Sequence, residues 1–169
     1  MEAYFDNSAT TIVTDSVKDI VVKTMTEDFG NPSAMHMVGV KAEKYIKEAQ
    51  ENIAKILKVD PKEIFFTSGG TESNNMAIIG TAMANKRKGN KIITTSVEHS
   101  SVLATMKYLE EQGFEVIYLP VDRYGVVQME ALEKEMTEDT ILVSTMYVNN
   151  EVGSVQPVAE AASIVKAYN

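Results

Sequence analysis

Short runs of β-branched and aromatic residues take turns along this chain with longer stretches whose apolar residues recur at helical spacing. Ile64 to Phe66, Lys91 to Ser96, Phe114 to Val121 and Thr140 to Val148 read as strands. Helical patterns cover Asp15 to Glu27, Val38 to Leu57, Glu72 to Lys86, Ser100 to Gln112, Met129 to Met136 and Val158 to Tyr168, with Pro157 suited to the first turn of the last. Strands that alternate with helices are joined most simply by crossovers, so the pattern predicts an α/β fold with a mostly parallel sheet flanked by helices. At 169 residues, 44% of them hydrophobic, the chain is long enough to bury a core and is expected to form one domain portion over residues 1–169. It contains no repeat and no low-complexity linker. The final helical pattern ends at Asn169 without a returning strand, so the fold is expected to be truncated at its C-terminus or completed by another chain.

Several function classes are disfavoured by composition. A net charge of -8 opposes nucleic acid and anionic membrane surfaces. The apolar runs are too short to span a bilayer, and the N-terminus lacks the basic and apolar regions of a secretion signal. These readings set a cytoplasmic location as the expectation. The absence of cysteine removes both a disulfide framework and a thiolate nucleophile, and with only two histidines no metal site is expected.

The chemistry concentrates where strands hand over to helices. "FFTSGGTESNNMAIIG" (Phe65 to Gly80) places small residues and a Gly-Gly pair before a helix. The first N–H groups of a helix have no intrahelical acceptor, and its dipole adds roughly half a positive charge there. Gly69 and Gly70 would admit an anion close to the backbone, while Thr71 and Ser73 can donate hydroxyl hydrogen bonds. The turn lacks the lysine of a Walker loop and the spacing of a dinucleotide fingerprint, which counts against a nucleotide-binding module. A plain capping turn fits the same residues. His99, at the end of "TTSVEH", falls on the same predicted rim; its imidazole could stack on a planar ring, move a proton, or only cap the next helix. His36 reads as a loop residue without a role. Asn149 and Asn150, closing "MYVNN", are either turn formers or donors to a ligand oxygen. Open α/β sheets bind ligands at the carboxyl ends of their strands, so Gly70, Thr71, His99 and Asn150 form a candidate constellation.

Five stretches in order, "YFDNSATT", "FGNPSAMH", "FTSGGTESNN", "VEHSSV" and "TILVSTMYVNNEVGSVQP", resemble the NifS/IscS-like cysteine desulfurases of the class V aminotransferases. The resemblance runs over nearly the whole chain and matches the N-terminal portion of the family. It implies the large domain of a fold-type-I transferase, pyridoxal 5′-phosphate as cofactor and a homodimer. Residue by residue, it implies that Gly70 and Thr71 hold the cofactor phosphate, that His99 stacks on the pyridine ring and assists proton transfer, and that Asn150 hydrogen-bonds the phenolic oxygen. The implied reaction converts L-cysteine to L-alanine and passes sulfur to an enzyme cysteine and then to an acceptor, such as an iron–sulfur scaffold protein. A selenocysteine lyase is a sister reading. The family's Schiff-base lysine and persulfide cysteine have no counterparts here, so the 169 residues alone are expected to be incomplete for catalysis. An inert truncated subunit or interaction scaffold of the same fold is the alternative.

Overall fold

A computed structural model describes residues 3–168, and its contacts divide the chain into two compact units, residues 1–66 and 67–169.

The first unit is helical. Helix α1 (Asp15–Thr26) starts with an acidic residue at its positive end, and Lys18 lies 2.5 Å from the Asp15 carboxylate one turn back. Helix α2 (Met37–Leu57) is capped by His36, whose Nδ1 accepts from the Gly39 backbone N–H at 3.2 Å. Gly39 is required by close approach: a methyl group there would lie 2.2 Å from the Ala34 carbonyl oxygen. The helix stops at Lys58, which turns left-handed at φ 58°. A single 3₁₀ turn at Pro61–Glu63 follows, with Asp60 and Glu63 each bonding the other's end of it. Gln50 Nε2 donates to the Ile64 carbonyl at 2.9 Å and ties that turn to α2.

The second unit is the α/β body. Its elements run α3 (Gly70–Asn85), β1 (Lys91–Thr95), α4 (Ser100–Glu111), β2 (Glu115–Leu119), α5 (Met129–Glu135), β3 (Thr140–Val143) and α6 (Val158–Lys166). The three strands form one parallel sheet in the order β2-β1-β3, with Lys91 opposite Glu115 and Thr95 opposite Leu119. All five residues of β1 are buried, as expected of a central parallel strand covered on both faces. Ile92 packs among Ile78, Ala82, Val102, Met106 and Leu109 of α3 and α4. Ile93 turns the other way, onto Leu132 of α5, Met136 just past its end and Ala161 of α6. The expected α/β class and parallel sheet are therefore what the chain adopts.

Two expected strands differ. Ile64 to Phe66 is extended but pairs with nothing among the described residues, and Phe65 and Phe66 are exposed. β propensity sets the backbone angles; a strand also needs a neighbour to bond. The run expected to reach Val148 leaves the sheet after Val143. Ser144 N–H still reaches the Ile93 carbonyl at 2.9 Å, after which Met146 N–H turns to the Glu98 carboxylate and Val148 bridges to Val155. No described helix is long and apolar enough to cross a membrane.

Candidate active site

Parallel strands end on the same edge, so the segments after β1 and β3 leave the sheet together. Glu98 joins them. Its Oε1 accepts from the Thr95 hydroxyl and from the Met146 N–H, each at 2.8 Å. Burial holds the Glu98 carboxyl above the usual carboxylate range, against the pull of those two donors. A second tie runs from Asn149 Nδ2 to the Val97 carbonyl at 3.1 Å. Asn149 Oδ1 then accepts from the Glu151 and Val152 N–H groups at 2.9 and 3.0 Å, which closes the turn that carries Asn150. Gln156, also buried, anchors the far side of this loop by accepting from Val127 N–H at 2.9 Å and donating to the Gly125 carbonyl at 2.8 Å.

Helix α3 is tied to the same edge through α4. Asn74 Nδ2 donates to Ser101 Oγ at 3.0 Å, and Thr105 Oγ1 donates to Asn75 Oδ1 in the next layer. The start of α3 differs from that of its neighbour. His99 caps α4, its Nδ1 accepting from Ser101 N–H at 3.1 Å, whereas no side chain caps α3 at Gly69. The first bond of α3 runs from Ser73 N–H to the Gly69 carbonyl at 3.1 Å, so the amides of Gly70, Thr71 and Glu72 have no acceptor within the helix. A methyl group at Gly69 or Gly70 would meet no atom within 4 Å, which leaves the backbone open to an approaching anion. Thr71 is exposed and its hydroxyl has no hydrogen-bond partner among the described residues. Ser73, by contrast, is spent on Thr67 at 2.6 Å. The Glu72 carboxylate bonds the hydroxyl and the N–H of Ser68, at 2.7 and 2.6 Å, and those bonds hold it below the ordinary carboxylate range. It therefore belongs to the turn before the helix.

Gly70, Thr71, His99 and Asn150 thus sit on segments cross-linked along one edge of the sheet. The structure contains no hydrogen bond among the four themselves. His99 is exposed and uses only Nδ1 internally, while Asn150 is exposed with its Nδ2 on Glu151 Oε1 at 2.8 Å. His36, read as a loop residue, caps α2 in the other unit. Glu98 and Ser101 escaped the sequence reading. Both flank the histidine already singled out, but burial and cross-chain bonding leave no mark on a linear pattern.

The sequence matches the class-V aminotransferase family over residues 3–169. The chain belongs to that family. Enzymes of the family depend on pyridoxal 5′-phosphate. A cysteine desulfurase IscS 1 from Archaeoglobus fulgidus is 48% identical over 162 residues, which is 96% of this chain and 42% of that protein. A solved NifS-like protein is 48% identical with a TM-score of 0.95, over 100% of this chain and 46% of the other. A solved SspA in complex with cysteine is 38% identical with a TM-score of 0.91, over 98% and 48%. The chain therefore spans less than half the length of these relatives.

The residues present fit the cofactor's anionic end. The uncapped amides of α3 and the free Thr71 hydroxyl are the donor set a phosphate needs, and no carboxylate caps them.

Proposed function

We propose that the full-length protein is a pyridoxal-phosphate-dependent cysteine desulfurase, to which these residues contribute the phosphate cradle and one side of the catalytic edge. The observation that carries this reading is the uncapped start of α3, tied through Asn74 and Ser101 to His99 on a sheet edge typical of ligand sites. The names of the A. fulgidus relative and of the cysteine-bound SspA supply the substrate, L-cysteine. When bound, the cofactor supplies the electron sink that lets a bond at the substrate's Cα or sulfur break.

This chain's residues supply position and protons. The amides of Gly70 to Glu72 and the Thr71 hydroxyl would hold the phosphate at the positive end of the helix dipole. His99 would offer its ring face to the cofactor and its Nε2–H as a donor to charge that develops there. Asn150 Nδ2, which has a second N–H besides the one on Glu151, would donate to the cofactor's phenolic oxygen. These residues include no cysteine, so the reading requires a sulfur-accepting thiolate from outside them. A homodimer, a cytoplasmic location and a sulfur-acceptor protein, such as an iron–sulfur scaffold, complete the reading.

The test uses the full-length protein loaded with pyridoxal phosphate and supplied with L-cysteine. Alanine should form, and His99→Ala should lower kcat about 10²- to 10⁴-fold with an unchanged circular dichroism spectrum. A cofactor-loaded enzyme that releases no alanine would overturn the assignment.

A further inference from the structure

His99 meets its surroundings through one nitrogen. The Ser101 backbone N–H can only donate, and it lies 3.1 Å from His99 Nδ1, so Nδ1 must present its lone pair. Ser101 Oγ lies 2.9 Å from the same nitrogen. From α3, Asn74 Nδ2 reaches that hydroxyl at 3.0 Å. An amide NH₂ has nothing to accept with, so it occupies an oxygen lone pair and leaves the single hydroxyl proton free to turn toward the ring. Ser101 is only 9% exposed, which limits competition from water at this point. A neutral imidazole holds one proton; with Nδ1 accepting, that proton sits on Nε2.

We propose that Asn74 and Ser101 are positioning residues that lock His99 as its Nε2–H tautomer, so that the neutral ring offers any ligand on this edge a donor and never a lone pair. The tautomer rests on the geometry alone; its consequence for turnover rests on the desulfurase reading above. The chain of contacts reaches from Asn74 in the second turn of α3, one turn from the proposed phosphate cradle, to the ring itself, so the element that would bind the anion also orients the histidine.

Nitrogen-15 NMR of the full-length protein, with and without pyridoxal phosphate and at a pH where the ring is neutral, reads the tautomer directly. The His99 signals are identified by their loss in His99→Ala. The expected wild-type pattern is a protonated Nε2 and a lone-pair Nδ1 in both samples. Ser101→Ala removes the hydroxyl but keeps the backbone N–H, so the minor Nδ1–H form should rise about fivefold, the worth of one ordinary hydrogen bond. Asn74→Ala should move it the same way by less, and Ser101→Thr should restore the wild-type ratio. A wild-type proton on Nδ1 would overturn the proposal, as would a ratio indifferent to both alanine variants. Should Ser101→Ala not fold, Asn74→Ala decides alone. If the tautomer responds as expected but His99→Ala turns over normally, the catalytic role of His99 fails and the lock stands. If turnover needs His99 while the ratio ignores Ser101 and Asn74, the lock fails and the catalytic role stands.

Discussion

Asn149 and Asn150 are adjacent, carry the same amide and live in different surroundings. Asn149 is 7% exposed and uses both ends of its amide, on Val97, Glu151 and Val152. Removing it would open the turn. Asn150 is exposed, and among the described residues its side chain bonds only the next side chain. A linear pattern treats the pair alike; burial separates a structural amide from one free to meet a ligand. Thr71 is a similar free donor, and a substitution there can separate binding from folding. Thr71→Val deletes a hydroxyl that holds nothing inside the protein, so thermal stability should stay within about 0.5 kcal/mol of wild type. Affinity of the full-length protein for pyridoxal phosphate should fall by about 1.5–3 kcal/mol, or roughly 10- to 100-fold, because the lost bond is to a charged group. A titration followed by cofactor fluorescence checks this, and an unchanged Kd would remove Thr71 from the site.

At the scale of elements, α1 and α2 are joined by one buried carboxylate. Asp28 is 2% exposed; Lys41 Nζ lies 2.5 Å from Oδ1, the Tyr45 hydroxyl donates to Oδ2 at 2.6 Å, and Lys23 on α1 stands 3.8 Å away. The Lys41 hydrogen bond, with that of Tyr45 behind it, holds the Asp28 carboxyl below its ordinary range. A depressed carboxylate adds stability above its unfolded pKa and loses it as pH falls through the folded one. Lys41→Met should therefore destabilise the chain most at neutral pH, and the gap from wild type should narrow as the solution is acidified through and below the carboxylate range. Denaturant midpoints measured across that range test the sign. A gap that widens in acid would show that Asp28 is not held by Lys41. Helix positions were legible because 3.6-residue periodicity is local: α1, α2, α4 and α5 begin and end within two residues of the spans read from sequence. The Ile64 to Phe66 run has the composition of a strand but finds no partner among the described residues, because pairing is not local.

At the scale of the whole molecule, burial is uneven. β1 is buried from end to end, whereas α1 buries none of its residues and leaves Val17, Ile20, Val21 and Met25 exposed. Amide exchange in the 169-residue chain should accordingly be slowest in β1 and α4 and faster in α1, because opening a helix that fully buries none of its residues costs little. Protection of α1 equal to that of β1 would mean that its apolar residues are covered in solution. The order of elements, the α/β class and the family were all legible in the residues, since alternating periodicities and short ordered motifs are properties of a line. The glycine turn, the histidine and the asparagine pair could likewise be picked out as candidates, because their residue types have few common uses at strand ends. Only the tertiary structure decided that Glu98 and Asn149 bind two segments some fifty residues apart, and that an asparagine on one helix and a serine on the next set the orientation of one imidazole. Those decisions depend on which polar groups burial brings within three ångströms of one another, and that distance exists only once the sheet has formed.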